Sequence, residues 1–170
     1  MKIANPEFTE TDARSRLRLA PDDAAANYLL GALLLSKNEL ANSEDFLRRS
    51  IETKPTATAC NDLAENLRLQ KRLPEAETFV RQALKLQPDL PPALDTLALV
   101  LCDAGQCEEA AQAAKQAVTA KPEHPTYQLT LLRAQIGLGD KEGVRQRLEW
   151  FSQTDYAIPK ELQDQIEAMR

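Results

Sequence analysis

The residues that could carry metal or nucleophilic chemistry are few in this chain. There is one histidine, His124, and there are three cysteines, Cys60, Cys102 and Cys107. A structural zinc site needs four ligands, and His124 is distant in sequence from the two neighbouring cysteines. A lone histidine rarely acts as a metal ligand or pH sensor. We therefore expect no metal site, and we expect the thiols to be small buried or half-exposed side chains.

Motifs for nucleotide binding and for catalysis are also missing. The sequence has neither a G-x-x-x-x-G-K-S/T nor a G-x-G-x-x-G loop, and no serine lies in a glycine-flanked elbow. The GLGD run at 137–140 fits a turn, because glycine permits unusual backbone angles and aspartate can begin the next helix. The acidic pairs at 22–23 and 108–109 fit helix starts, where negative charge complements the helix dipole. The sequence therefore predicts a protein that is not an enzyme and needs no cofactor.

The composition favours an all-α fold that does not bind nucleic acid. Alanine and leucine, which are strong helix formers, are abundant, whereas aromatic residues are only 5% of the chain. The formal net charge is −5, and a negative surface repels phosphate backbones. No apolar run approaches the roughly 20 residues that span a bilayer. We expect no nucleic-acid partner and no membrane span.

The beginning of the sequence bears on localisation. The stretch MKIANPEFTETD lacks the apolar core of a signal peptide. This favours the cytoplasm, although a periplasmic or membrane-anchored protein would fit equally well if a signal preceded this sequence.

The elements that would position any functional residue follow a repeat. Four similar helix-end phrases finish at Pro21, Pro55, Pro88 and Pro122, which lie 34, 33 and 34 residues apart. Proline disfavours helical backbone in the preceding residue and so ends a helix there. Between successive prolines, two segments of about 13 residues carry apolar residues at intervals of three and four, with a polar turn between them. The pattern predicts a series of helix pairs.

Several positions of this repeat resemble the tetratricopeptide repeat (TPR) family, whose unit is a 34-residue helix–turn–helix. The seventh position is leucine in every repeat: Leu30, Leu63, Leu97 and Leu131. The eighth position, where the family has a small residue, holds Gly31, Ala64 and Ala98. The fourth repeat departs from the pattern, because Leu132 and Val144 are large where the family has small residues.

The resemblance implies a right-handed α-solenoid of about four helix–turn–helix repeats, forming one domain over residues 1–170. Its parts are a partial N-terminal helix at 7–20, repeats at 24–56, 57–90 and 91–124, a degenerate repeat at 125–156 and a capping helix at 159–170. Terminal repeats must shield an apolar face, so a cap belongs at the end. We expect Trp150, Phe151 or both to pack against it; the alternative is an exposed aromatic anchor for a partner or a second copy of the chain.

The family binds its partners in a concave groove lined by the first helix of each unit. Carried onto this sequence, the groove residues are Tyr28, Leu29, Ala32, Leu35, Asn61, Asp62, Glu65, Arg68, Asp95, Thr96, Leu99, Asp103, Leu129, Thr130, Arg133 and Ile136. One end of this set is apolar and its middle is mainly acidic. We therefore expect a partner peptide with basic residues beside an apolar anchor.

The resemblance implies a non-enzymatic scaffold that binds a protein or peptide in its groove. Two alternatives stay open. The first is a bacterial secretion or pilus assembly chaperone or accessory factor, and the second is a regulatory repeat arm of a larger enzyme. Association between copies of the chain also stays open.

Overall fold

Helices are the only regular secondary structure of the described residues. The computed structural model describes residues 9–169, and these contain ten α-helices and no strand, which confirms the all-α prediction. The helices are α1 Glu10–Leu19, α2 Ala24–Ser36, α3 Leu40–Thr53, α4 Ala57–Leu69, α5 Leu73–Leu86, α6 Pro91–Asp103, α7 Cys107–Ala120, α8 Pro125–Leu138, α9 Lys141–Ser152 and α10 Lys160–Ala168. Residues 7 and 8 of the predicted first helix, and residue 170 of the predicted cap, lie outside the described range.

The helices fall into pairs and the pairs into two compact units. The pairs are α2–α3, α4–α5, α6–α7 and α8–α9, and each lies inside one of the predicted repeats. The first unit ends at Leu86 and holds α1 to α5, whereas the second begins at Gln87 and holds α6 to α10. We call them unit 1 and unit 2 and describe each by itself.

The helix starts follow from short polar side chains and proline. Asp23 Oδ1 accepts a hydrogen bond from the Ala26 N–H at 3.0 Å, and Thr56 Oγ1 accepts one from the Ala59 N–H at 3.2 Å. Such caps satisfy N–H groups that have no partner within the helix. Asp140 caps α9 in the same way, as the GLGD run predicts. Prolines open α6 and α8, where a missing N–H costs nothing.

One turn geometry recurs inside all four pairs. Its central residue has a positive φ: 60° at Asn38, 64° at Lys71, 76° at Gly105 and 70° at Gly139. The next N–H donates to a carbonyl five residues back, as from Arg72 to Leu67 at 2.9 Å. This bond satisfies a carbonyl at the helix end. The turns therefore repeat with the same period as the prolines.

The core of unit 1 shows why the first repeat needs small residues. Gly31 is buried, and a Cβ at this position would lie 2.8 Å from Cγ of Leu47 on the paired helix. The buried hydroxyl of Ser43 donates to the Gly31 carbonyl at 2.9 Å, and Ser50 donates to the Ala24 carbonyl at the same distance. The two serines therefore occupy small positions while satisfying their own polar groups.

A network of charged side chains joins α3, the end of α4 and α5 in unit 1. Glu44 on α3 accepts hydrogen bonds from Arg48 and from Arg72, which lies just before α5. Gln70 at the end of α4 donates to the same carboxylate at 2.8 Å. Both arginines also contact Glu75 on α5, at 3.3 and 2.7 Å. The side chain of Glu44 is only 13% exposed, so this carboxylate is the centre of the network.

The fourth pair compensates for its large residues by packing against α10. Leu132, Val144 and Phe151 form one buried cluster with Leu162 and Ile166 of α10. Trp150 packs against the same cluster and meets Phe151 edge-on, with ring centroids 5.0 Å apart. Phe151 therefore packs with the terminal helix, as expected for at least one of the two aromatic residues.

Candidate binding surfaces

The predicted groove residues lie on four helices, two in each unit. In unit 1 they form what we call the α2–α4 face: Tyr28, Leu29, Ala32, Leu35, Asn61, Asp62, Glu65 and Arg68. In unit 2 they form the α6–α8 face: Asp95, Thr96, Leu99, Asp103, Leu129, Thr130, Arg133 and Ile136.

The buried stripe of each helix sets which residues reach these faces. On α2 the buried leucines are Leu30 and Leu34, and on α4 they are Leu63 and Leu67. An α-helix turns about 100° per residue, so residues one or two positions before these leucines point away from the core stripe. Asp62 lies one position before Leu63 and Tyr28 two positions before Leu30, so both side chains leave the buried stripes of their helices.

The two helices of unit 1 are joined across their face by a tyrosine–aspartate pair. The Tyr28 hydroxyl and the Asp62 carboxylate interact electrostatically across this face, and each shifts the pKa of the other. Burial raises the pKa of Tyr28 to about 12, and the neighbouring Asp62 carboxylate adds to the shift. Burial also raises the pKa of Asp62, against the lowering effect of the neighbouring Asn61 and Tyr28 side chains. A half-buried carboxylate of this kind would gain from a nearby cation.

Apolar surface and a second ion pair flank this tyrosine–aspartate pair. Leu29 is 37% exposed. Glu65 and Arg68 form a two-point ion pair with N–O distances of 2.8 Å. The Glu65 carboxylate therefore largely compensates the charge of Arg68. Asp62 differs from Glu65 because its partners are uncharged groups, the amide of Asn61 and the hydroxyl of Tyr28. The α2–α4 face thus combines an exposed leucine, an aromatic side chain and a half-buried acid.

A cavity beside Tyr28 adds residues that sequence reasoning missed. It has a volume of about 330 Å³, and Lys54, Thr56 and Thr58 line it together with Ala24, Ala25, Tyr28 and Ser50. Lys54 and Thr56 lie in the connection between α3 and α4. The repeat pattern assigns partner contacts to the first helices only, so it carries no signal for residues of this connection.

The α6–α8 face offers less accessible surface. Asp95, Thr96 and Thr130 are only 6%, 7% and 3% exposed, and Asn61 of unit 1 is 8% exposed. These four predicted groove residues therefore present little surface to a partner. Arg133 is 38% exposed and pairs with Asp103 at 3.4 Å, which links α8 to α6.

Cys60 is buried, whereas Cys102 and Cys107 are partly exposed. Burial raises the pKa of Cys60, and it raises the pKa of Cys102 to about 11. Thiols with raised pKa values are poor nucleophiles at neutral pH. Within residues 9–169 no group of three histidine, cysteine or acidic side chains is arranged to hold a metal ion. In the same range, every helix is too short or too polar to cross a bilayer.

Comparison with solved structures places the fold among known repeat proteins. PilW, a "widely conserved type IV pilus biogenesis factor", is 23% identical, with a TM-score of 0.76 over 91% of this chain and 72% of its own. Pseudomonas aeruginosa pilF is 18% identical, with a TM-score of 0.76 over 94% and 79%. YrrB, "a TPR protein with an unusual peptide-binding site", is 15% identical, with a TM-score of 0.65 over 95% and 76%. No curated protein sequence matches the chain.

Family models identify the repeats directly. One tetratricopeptide repeat model matches residues 11–58 and 96–159, which together exceed half of the chain. A second tetratricopeptide repeat model matches residues 56–87, between these two segments. The matched segments contain the helix pairs described above, and the fold is an all-α repeat solenoid. The chain belongs to the tetratricopeptide repeat family.

Proposed function

We propose that this protein is a non-enzymatic scaffold whose α2–α4 face binds a peptide or partner helix with a basic residue next to an apolar one. The observation that carries the proposal is the Tyr28–Asp62 pair, which holds a half-buried acid between two helices. Exposed Leu29 lies beside it and can receive an apolar side chain. A cation on the partner would interact with the Asp62 carboxylate in a partly desolvated setting, where attraction is stronger than in water.

The wider comparison supports binding but not a particular partner. YrrB, a protein of similar fold, is one with a peptide-binding site. The other predicted groove residues of this chain, including those of the α6–α8 face, belong to the same proposal. Because Asp95 and Thr96 are nearly buried, we expect the α2–α4 face to supply most of the contact.

A charge-removal experiment tests the proposal. A displayed library of random peptides would be selected on the wild-type protein, and the selected peptides would then be titrated against Asp62→Asn. A matched control, Asp45→Asn, makes the same charge change at an exposed site on α3. We expect selected peptides to be rich in lysine or arginine beside an apolar residue, and to bind Asp62→Asn about tenfold more weakly. Equal loss in both variants, or peptides without basic residues, would contradict the proposal.

A second candidate is a role in pilus assembly. Its support is the likeness to PilW, which is a type IV pilus biogenesis factor. Expression of this chain in a strain that lacks PilW provides a test. Restored surface pili would favour this role, and unchanged absence of pili would count against it.

A further inference from the structure

Another cavity lies in unit 2, and none of the predicted groove residues lines it. It occupies about 220 Å³ between α9 and α10. Its apolar walls are Val144 and Leu148 of α9, Ile166 of α10 and Met169, which directly follows α10. Leu148 and Met169 are only partly buried against the core cluster, so they leave apolar surface open to a ligand.

The helix order indicates what kind of element would fill this cavity. In chain order, α10 follows α9 as α4 follows α3. In unit 1 the equivalent place beside α3 and α4 is taken by α5. Arg48 of α3 lies over the Phe79 ring of α5 at 5.4 Å and contacts Glu75 at 3.3 Å. The cavity between α9 and α10 therefore corresponds to the place of a second helix.

The charges at this place are reversed between the two units. The Glu44 carboxylate of α3 forms an ion pair with the guanidinium of Arg72 at 2.7 Å. Arg72 is the residue that immediately precedes α5. The repeat alignment that pairs Ser43 with Val144 also pairs Glu44 with Arg145. Arg145 lines the cavity, and so does Lys141. A helix that docks here would meet two cations where α5 meets an acid.

We propose that the cavity between α9 and α10 docks an amphipathic helix of a partner protein that carries an acidic residue at its first turn. An acid at that place would face Arg145 and Lys141, and it would also complement the dipole of its own helix. Arg145 now pairs with Glu142, but the two side chains are 75% and 60% exposed. Ion pairs this exposed are weak, so Arg145 can exchange its partner.

The chain itself supplies a matched probe. The first peptide has the sequence of residues 72–86, which includes α5 and begins with Arg72. The second peptide is identical except for Arg72→Glu. Both would be labelled and titrated by fluorescence anisotropy against the wild-type protein, against Arg145→Glu and against Lys115→Glu. Lys115 is exposed on α7 and outside the cavity, so it controls for net charge.

The proposal requires a crossed pattern of affinities. We expect wild-type protein and Lys115→Glu to bind the glutamate peptide at least about threefold more tightly than the arginine peptide, as one exposed charge pair would allow. Arg145→Glu should reverse this preference. A Met169→Glu variant should weaken both peptides, because it places a charge on the apolar wall.

Three results would overturn the proposal. One is equal binding of both peptides by the wild-type protein, and another is an unchanged preference in Arg145→Glu. The third is self-association of the wild-type chain, seen by sedimentation and abolished by Met169→Glu, because the occupant would then be a second copy. Far-UV circular dichroism of each variant confirms that the helices remain folded. None of these results bears on the α2–α4 face.

Discussion

Replacement of Glu44 tests whether the network in unit 1 stabilises the fold. Glu44→Ala removes a carboxylate that accepts bonds from Arg48, Arg72 and Gln70. Arg48 is on the same helix, whereas Arg72 and Gln70 tie α3 to the end of α4 and the start of α5. The substitution therefore removes links between helices as well as one link within a helix.

The expected loss follows from the exposure of each partner. The Gln70 bond to a largely buried carboxylate contributes about 1 kcal/mol. Arg72 is 37% exposed, so its bridge is discounted by solvent to about 1 kcal/mol. The pair with Arg48 within the helix adds roughly 0.3–0.5 kcal/mol. Glu44→Ala should thus lower the free energy of unfolding by about 2 kcal/mol. This is slightly less than the sum of the three contributions, because both arginines still form ion pairs with Glu75.

Urea denaturation followed by circular dichroism measures this loss. The matched control is Glu77→Ala, which removes a single pair with Arg81 on the same helix and should cost about 0.5 kcal/mol. The slope of the free energy of unfolding against urea concentration should be the same in both variants, because neither substitution changes the surface exposed on unfolding. A loss for Glu44→Ala no larger than that for Glu77→Ala would refute the reasoning.

The pH dependence gives an independent check. Burial alone would raise the pKa of Glu44, but hydrogen bonds from Gln70, Arg48 and Arg72 together lower it below its ordinary value of 4.5. The folded state thus binds a proton less readily than the unfolded state, so the stabilisation is present above pH 4.5 and is lost as the pH falls further. The stability difference between wild type and Glu44→Gln should narrow over that acidic range. A constant difference would show that the charge of Glu44 is not responsible.

Three further predictions concern single residues. Gly31→Ala should destabilise unit 1 by roughly 1–3 kcal/mol in urea denaturation, because the new Cβ would crowd Leu47, and Leu47→Ala should relieve part of this effect. Lys71→Gly should raise the thermal midpoint, with a gain of up to about 1 kcal/mol, because Lys71 adopts a φ of 64° that favours glycine; an unchanged or lower midpoint would contradict this. In a near-ultraviolet titration, Tyr28 should ionise near pH 12, and Asp62→Asn should lower this pKa by removing the neighbouring charge; no change in Asp62→Asn would contradict the pairing.

The sequence alone was enough to predict the repeated helix pairs. Proline spacing, leucine at the seventh position and a small eighth position are local signals that repeat along the chain, and each constrains the backbone within a few residues. The positive-φ turns at Asn38, Lys71, Gly105 and Gly139 recur with the same period. The sequence also predicted an amphipathic helix after the fourth pair, because the apolar face of a terminal repeat must be shielded.

The candidate sites depended on contacts that no local pattern contains. The Tyr28–Asp62 interaction joins residues far apart in sequence, as does the bond between Glu44 and Arg72, and repeat position alone does not specify side-chain partners. The same limit explains why Asp95 and Thr96 were expected in the groove although the folded chain nearly buries them. Helical period determines which way a residue faces, but only the packing of neighbouring helices determines whether that face remains open to a partner.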